Sequence, residues 1–157
     1  MRIFSPPARG RRTVIFRKER DMENLYSDLA FSALAARAAA YSPYSGVTVG
    51  AALLGESGKV YLGANIENAS YSLTTCAERV AIFKAVSEGE RRFTAIAIAG
   101  GRVGEEVTSE FPPCGACRQV LREFCSPDFK VLLVGEDGYT VHTLEELLPY
   151  SFTEGYL

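Results

Sequence analysis

Apolar residues first recur at helical spacing at Leu25, Leu29, Ala33 and Ala36, which predicts a helix over residues 23–40. Tyr41-Ser42-Pro43-Tyr44-Ser45-Gly46 breaks it, because Pro43 has no N–H to donate and disfavours helix in the residue before it. Two β-rich runs, Val47–Leu54 and Lys59–Ile66, flank Gly55-Glu56-Ser57-Gly58 and predict a β-hairpin. A second helix is predicted from Cys76 to Glu88, stopped at Gly89. Phe93–Ala99 is a nearly continuous apolar run, the pattern of a buried strand. Cys114 to Cys125 reads as a third helix ending near Ser126-Pro127, and Phe129–Val134 as another strand. Thr143-Leu144-Glu145-Glu146 carries the Thr…Glu spacing of a capped short helix. A hairpin followed by helix, strand, helix and strand describes a single α/β domain with a mixed sheet.

Charge divides this picture at Met22. Residues 1–21 hold seven Arg/Lys against Glu19 and Asp21, contain Pro6-Pro7, and lack periodicity, although the whole chain has a net charge of only −2. They are read as a disordered or non-native N-terminal extension, and residues 22–157 as the folded domain. At 157 residues and 47% apolar content the chain suffices for one core. No apolar run approaches the roughly 20 residues of a membrane span, so no membrane association is expected. The acidic body argues against a nucleic-acid partner, since phosphate binding needs clustered Lys/Arg. Four cysteines without a secretory segment point to a reducing compartment, the cytoplasm, where thiols serve metal or redox chemistry.

The chemistry is concentrated in two segments. Cys76-Ala77-Glu78 is followed 35 positions after Glu78 by Pro113-Cys114-Gly115-Ala116-Cys117, which offers three thiolates and one carboxylate. Three protein ligands leave a tetrahedral zinc one open position, whereas structural zinc is normally closed by four. Both segments fall at predicted helix starts, where the helix dipole favours thiolate. Arg79 and Arg118, each beside a motif, are expected to donate to the sulfurs and offset their charge. Cys125 lies eight residues past Cys117, about 12 Å along one helix, too far for a shared metal with Zn–S bonds of about 2.3 Å. It is read as a buried apolar residue, and His142 as a structural or surface histidine. A redox dithiol at Cys114 and Cys117 is the rival reading, but it leaves Cys76-Ala77-Glu78 unexplained. Asn65 and Glu67, two apart at a strand end, share a side and could grip a pair of hydroxyls.

Further segments widen the pattern: Tyr41-Ser42-Pro43-Tyr44-Ser45, Val49-Gly50-Ala51-Ala52-Leu53-Leu54, Asn65-Ile66-Glu67-Asn68-Ala69, Cys76-Ala77-Glu78-Arg79, Pro113-Cys114-Gly115-Ala116-Cys117-Arg118-Gln119 and Glu145-Glu146-Leu147-Leu148-Pro149. In this order, over about residues 23–152, they resemble the small homotetrameric cytidine deaminases. The resemblance implies a three-layer α/β/α domain with a mixed sheet of about five strands and one zinc per chain held by Cys76, Cys114 and Cys117. It also implies hydrolytic deamination of cytidine and deoxycytidine to uridine, deoxyuridine and ammonia. The resemblance further implies that a zinc-activated water adds to C4 of the base, that Glu78 takes its proton and delivers it to ring N3, and that Glu78 later protonates the departing ammonia. Asn65, Glu67, Ala77, Val47, Tyr71 and Phe152 would surround the nucleoside, Tyr71 and Phe152 reaching across subunits of a homotetramer. Val47 departs from the family, which commonly carries Phe there, so the wall beside the base is less filled. A modified cytosine nucleoside such as blasticidin S is therefore the alternative substrate. A zinc-stapled scaffold that only binds nucleosides is the non-enzymatic alternative.

Overall fold

A computed structural model describes residues 10–157, with side chains from residue 21 on. The first helix, α1, runs Gly10–Ala36 and passes into a 3-10 turn, Arg37–Ala39. It starts upstream of the boundary expected at Met22: residues 10–21 include four arginines, good helix formers that need no apolar periodicity. Residues 1–9 of the expected extension lie outside the described residues.

Five strands form one sheet in the order β2-β1-β3-β4-β5. The hairpin β1 (Val47–Gly55) and β2 (Val60–Ala64) turns through Gly58, whose φ of 85° favours glycine. β3 (Phe93–Arg102) lies antiparallel to β1 and parallel to β4 (Lys130–Gly135), so the sheet is mixed as expected. Helices α2 (Ala77–Ser87) and α3 (Gly115–Phe124) precede β3 and β4, and α4 (Leu144–Leu147) follows the last strand. Gly89, with φ 99°, comes just after α2. Thr143 and Glu146 form the predicted capping box on α4.

The fifth strand, β5 (Gly138–Thr143), has no counterpart among the elements that periodicity predicts. It is an edge strand with no fully buried residue, so its sequence lacks a clean apolar alternation. Gly135 pairs with Gly138 across a two-residue loop, Glu136-Asp137, and Gly138 at φ 131° begins the strand.

β3 shows how one strand serves two layers. Ala95, Ala97 and Ala99 face α1, in a cluster with Leu29, Ala30, Ala33, Leu132 and Val134. Ile96 and Ile98 face the other side, with Ala81 and Ile82 of α2, Leu121 of α3 and Leu144 of α4. A small face and a large face thus produce the three-layer α/β/α sandwich. Glycines set the closest approaches. A Cβ on Gly50 of β1 would lie 2.1 Å from the Ala33 carbonyl of α1, and one on Gly63 of β2 would lie 2.1 Å from the Ala77 carbonyl of α2.

Arg37 fastens the end of α1 to the sheet. Its guanidinium donates to the Thr48 carbonyl (3.3 Å), Thr48 Oγ1 (3.1 Å), and the carbonyls of Arg102 (3.1 Å) and Glu105 (3.2 Å). Arg37→Ala is expected to lower unfolding stability by about 2 kcal/mol, since bonds to a charged donor are lost and carbonyls are left unpaired. Chemical denaturation checks this, and a midpoint equal to the parent's would show that water replaces the arginine without loss.

Candidate functional site

Cys76 and Cys114 are the N-caps of α2 and α3, both with extended backbones, and neither side chain caps its own helix. Their sulfurs are therefore free to turn toward each other, while their carbonyls accept the first helical bonds from Val80 and Arg118. Cys117 enters one turn into α3 and is fully buried. The Sγ atoms stand 3.9 Å apart for Cys76–Cys114 and 3.5 Å for Cys114–Cys117, and all three lie within 4.8 Å of one another. The edge of a tetrahedron with Zn–S bonds of about 2.3 Å is about 3.8 Å, so the triad matches one face of a zinc tetrahedron. Among the described residues, these three are the only group of this kind. Cys125 caps the far end of α3 and is buried in the core, where desolvation pushes its thiol up to about 12.

Charge is graded across the triad. The neighbouring Cys117 thiol, helped by the hydrogen bond from Arg79, brings Cys76 down to about 5. The Cys76 sulfur, together with burial and the nearby Glu78, in turn pushes Cys117 up. Arg79 Nη2 donates to Cys76 Sγ (3.5 Å) and to the Thr74 carbonyl (3.2 Å), as expected. Its Nε is buried and has no partner among the described residues. Glu78, in the first turn of α2, is 4% exposed. Burial, reinforced by the charge on Cys76, pushes its carboxyl up to about 7. A carboxyl titrating near neutrality beside three sulfurs, and outside the ligand triad, is suited to accepting and returning a proton.

Arg118 departs from expectation. Its Nε donates to the Pro113 carbonyl (2.7 Å) and its Nη1 to the Leu147 carbonyl (2.6 Å), with no bond to a sulfur. One turn into α3, the guanidinium folds back over the loop before Cys114 and ties it to the end of α4. It braces the ligand loop without withdrawing charge from the thiolates.

Asn65 and Glu67 are both buried, at 8% and 6% exposure. The Asn65 amide accepts from Val49 N (2.8 Å) and donates to the Val47 carbonyl (2.9 Å), clamping the start of β1. The Glu67 carboxylate turns to the preceding loop, accepting from Tyr44 N (3.0 Å), Ser45 N (3.2 Å) and the Ser45 hydroxyl. Val47 is partly buried against the core on the α2–α3 face. Ala77, the first residue of α2, is fully buried. Tyr71 is 58% exposed and meets Tyr44 edge-on at 6.3 Å. Phe152 is 57% exposed and stacks on Tyr156 at 5.6 Å, its carbonyl accepting from Gln119 Nε2. On a single copy of the chain these two rings lie open to solvent. His142 sits on β5 with Nε2 3.0 Å from Thr140 Oγ1.

Sequence reasoning passed over Phe111 and Ser45. The Phe111 ring lies on the backbone of Gly100, where a Cβ would meet it at 2.3 Å. Gly100 pairs with Val49, which places the ring on the sheet face that carries Val47. An aromatic three residues ahead of Cys114 was the available signal.

Comparison with known proteins agrees with this geometry. The profile described as "Cytidine and deoxycytidylate deaminase zinc-binding region" matches residues 25–133. A cytidine deaminase of Halalkalibacterium halodurans is 53% identical over 122 residues, 77% of this chain and 89% of its own. A blasticidin-S deaminase of Bacillus cereus is 33% identical over 108 residues, 67% of this chain and 76% of its own. The crystal structure of cytidine deaminase from Burkholderia pseudomallei superposes with a TM-score of 0.72 at 45% identity, covering 80% of this chain and 97% of that one. With the sandwich, the three-sulfur centre and these relatives in agreement, the chain belongs to the zinc-dependent cytidine and deoxycytidylate deaminase family.

Proposed function

We propose that the chain hydrolyses cytidine and deoxycytidine to uridine and deoxyuridine with release of ammonia, acting in pyrimidine salvage. The observation that carries this reading is a buried carboxyl, Glu78, beside three convergent sulfurs that it does not join as a ligand. Cys76, Cys114 and Cys117 would hold zinc, which when bound would supply Lewis acidity, lowering the pKa of water from 15.7 toward 7. Glu78 would accept a proton from the attacking water and deliver it to ring N3, then carry the proton of the resulting C4 hydroxyl to the leaving ammonia. Arg79 helps to keep Cys76 ionised by donating to its sulfur. Ala77, Val47 and Phe111 bound the base, and Asn65 and Glu67 hold the sugar. An anionic Glu67 repels a phosphate, which favours a nucleoside over a nucleotide.

Residues 22–157 form the catalytic domain and residues 1–21 an extension of it, in a cytoplasmic protein. No helix among the described residues is long and apolar enough to cross a membrane. The exposed rings of Tyr71 and Phe152 fit a homotetramer in which each site is completed by a neighbour. The small Val47 favours a second reading, a deaminase of a modified cytosine nucleoside such as blasticidin S.

Ammonia release from zinc-loaded protein tests the proposal. Cytidine and deoxycytidine are expected to turn over, and cytidine monophosphate to turn over poorly. Turnover of blasticidin S alone would select the second reading, and binding of cytidine without ammonia would leave a scaffold.

A further inference from the structure

Glu67 is a buried carboxylate without a cationic partner: among the described residues the ion pairs are Lys59–Glu88 and Arg92–Glu56. Burying such a charge is costly unless hydrogen bonds replace its water. The turn before β1 supplies them. Oε2 accepts from Tyr44 N and Ser45 N, and Oε1 accepts from the Ser45 hydroxyl. The hydroxyl is the strongest of the influences that hold this carboxyl below its ordinary range. Around it the backbone closes: Tyr41 N donates to the Asn65 carbonyl (2.9 Å) and Glu67 N to the Tyr41 carbonyl (2.8 Å). Ser45 Oγ in turn accepts from Val47 N (3.0 Å), so one hydroxyl joins Glu67 to the first residue of β1.

A carboxylate has about four acceptor positions, and the chain fills three. Both positions on Oε2 are taken, and one on Oε1 remains. We infer that Ser45 is a positioning residue: it fixes the Glu67 carboxylate so that its one remaining acceptor, on Oε1, takes a single sugar hydroxyl of the substrate. This rests on the nucleoside reading above. It narrows the pair of hydroxyls expected from spacing to one at Glu67. The same donors keep Glu67 anionic without a cation, which leaves the full charge available to the incoming hydroxyl.

The test compares cytidine KM and kcat with the inhibition constant of 2′,3′-dideoxycytidine, which lacks both ring hydroxyls. The parent enzyme, Ser45→Ala, Ser45→Thr and Glu67→Gln are measured with zinc bound. Ser45→Ala is expected to raise the cytidine KM about tenfold at unchanged kcat, the loss of one charge-assisted hydrogen bond. It should leave the dideoxycytidine constant unchanged, and Ser45→Thr should restore the parent KM. A general disturbance of the turn would weaken both ligands alike, and that result overturns the inference, as does an unchanged cytidine KM. Glu67→Gln separates the two levels. If it raises the cytidine KM while Ser45→Ala does not, only the positioning role falls. If it leaves the KM unchanged, Glu67 does not hold the sugar and the inference falls with that reading.

Discussion

Glu78→Gln is expected to bind a full complement of zinc, melt no lower than the parent, and lose about 10²–10⁴-fold in kcat on cytidine. The side chain is nearly fully buried, so a neutral isostere fits the same space and removes a charge that burial disfavours. Fold and metal are thus preserved. Glutamine cannot accept a proton, however, so the transfer from water to the ring proposed for Glu78 would lose its carrier. The three sulfurs come from other residues, and metal content should be untouched. Ammonia release, metal analysis and a thermal melt on one preparation check the three expectations together. Turnover near the parent's would move the proton-carrying role to another group.

Removal of zinc is expected to abolish turnover by more than about 10³-fold, with recovery on adding the metal back, because water at neutral pH is otherwise a poor nucleophile. The geometry adds a second readout. With zinc bound, Cys125 is the one cysteine outside the ligand set, and it is buried. Stripping the metal should add three reactive thiols, with the exposed Cys114 first and the buried Cys117 last. Apparent stability should fall as well, since the ligands come from the starts of two helices separated by β3. Equal activity with and without metal, accompanied by a reversible Cys114–Cys117 disulfide, would favour the redox dithiol.

Much of this site was legible because its residues fall at element boundaries that sequence marks clearly. Cys76 and Cys114 were expected at helix starts and are N-caps. The eight-residue separation of Cys125 from Cys117 placed it at the far end of α3, where it caps the helix and packs in the core. The capping box at Thr143 was readable because its two bonds are local. What escaped depended on contacts between distant segments. Arg118 was assigned to sulfur by proximity in sequence, yet its partners include a carbonyl 29 residues away. Phe111 is silent in a linear reading because its neighbour, Gly100, lies on another element. β5 was missed because an exposed edge strand has little apolar pattern to show. The start of α1 escaped because residues 10–21 mix charged residues with Val14-Ile15-Phe16 at no helical period.

The two tight glycines leave the sandwich with a waist. Gly63 pairs with Ala51, the residue next to Gly50, so α1 and α2 press on the sheet from opposite faces at neighbouring positions. Elsewhere the spacing between layers is set by side chains and can be retuned by exchanging one apolar residue for another. At the waist it is set by backbone against backbone, which has no smaller setting and no cheap larger one. Ala77, pressed against Gly63, stands between Cys76 and Glu78. The depth at which Cys76 and Glu78 sit is therefore gauged by a missing methyl group on β2, a strand that contributes no atom to the three-sulfur cluster.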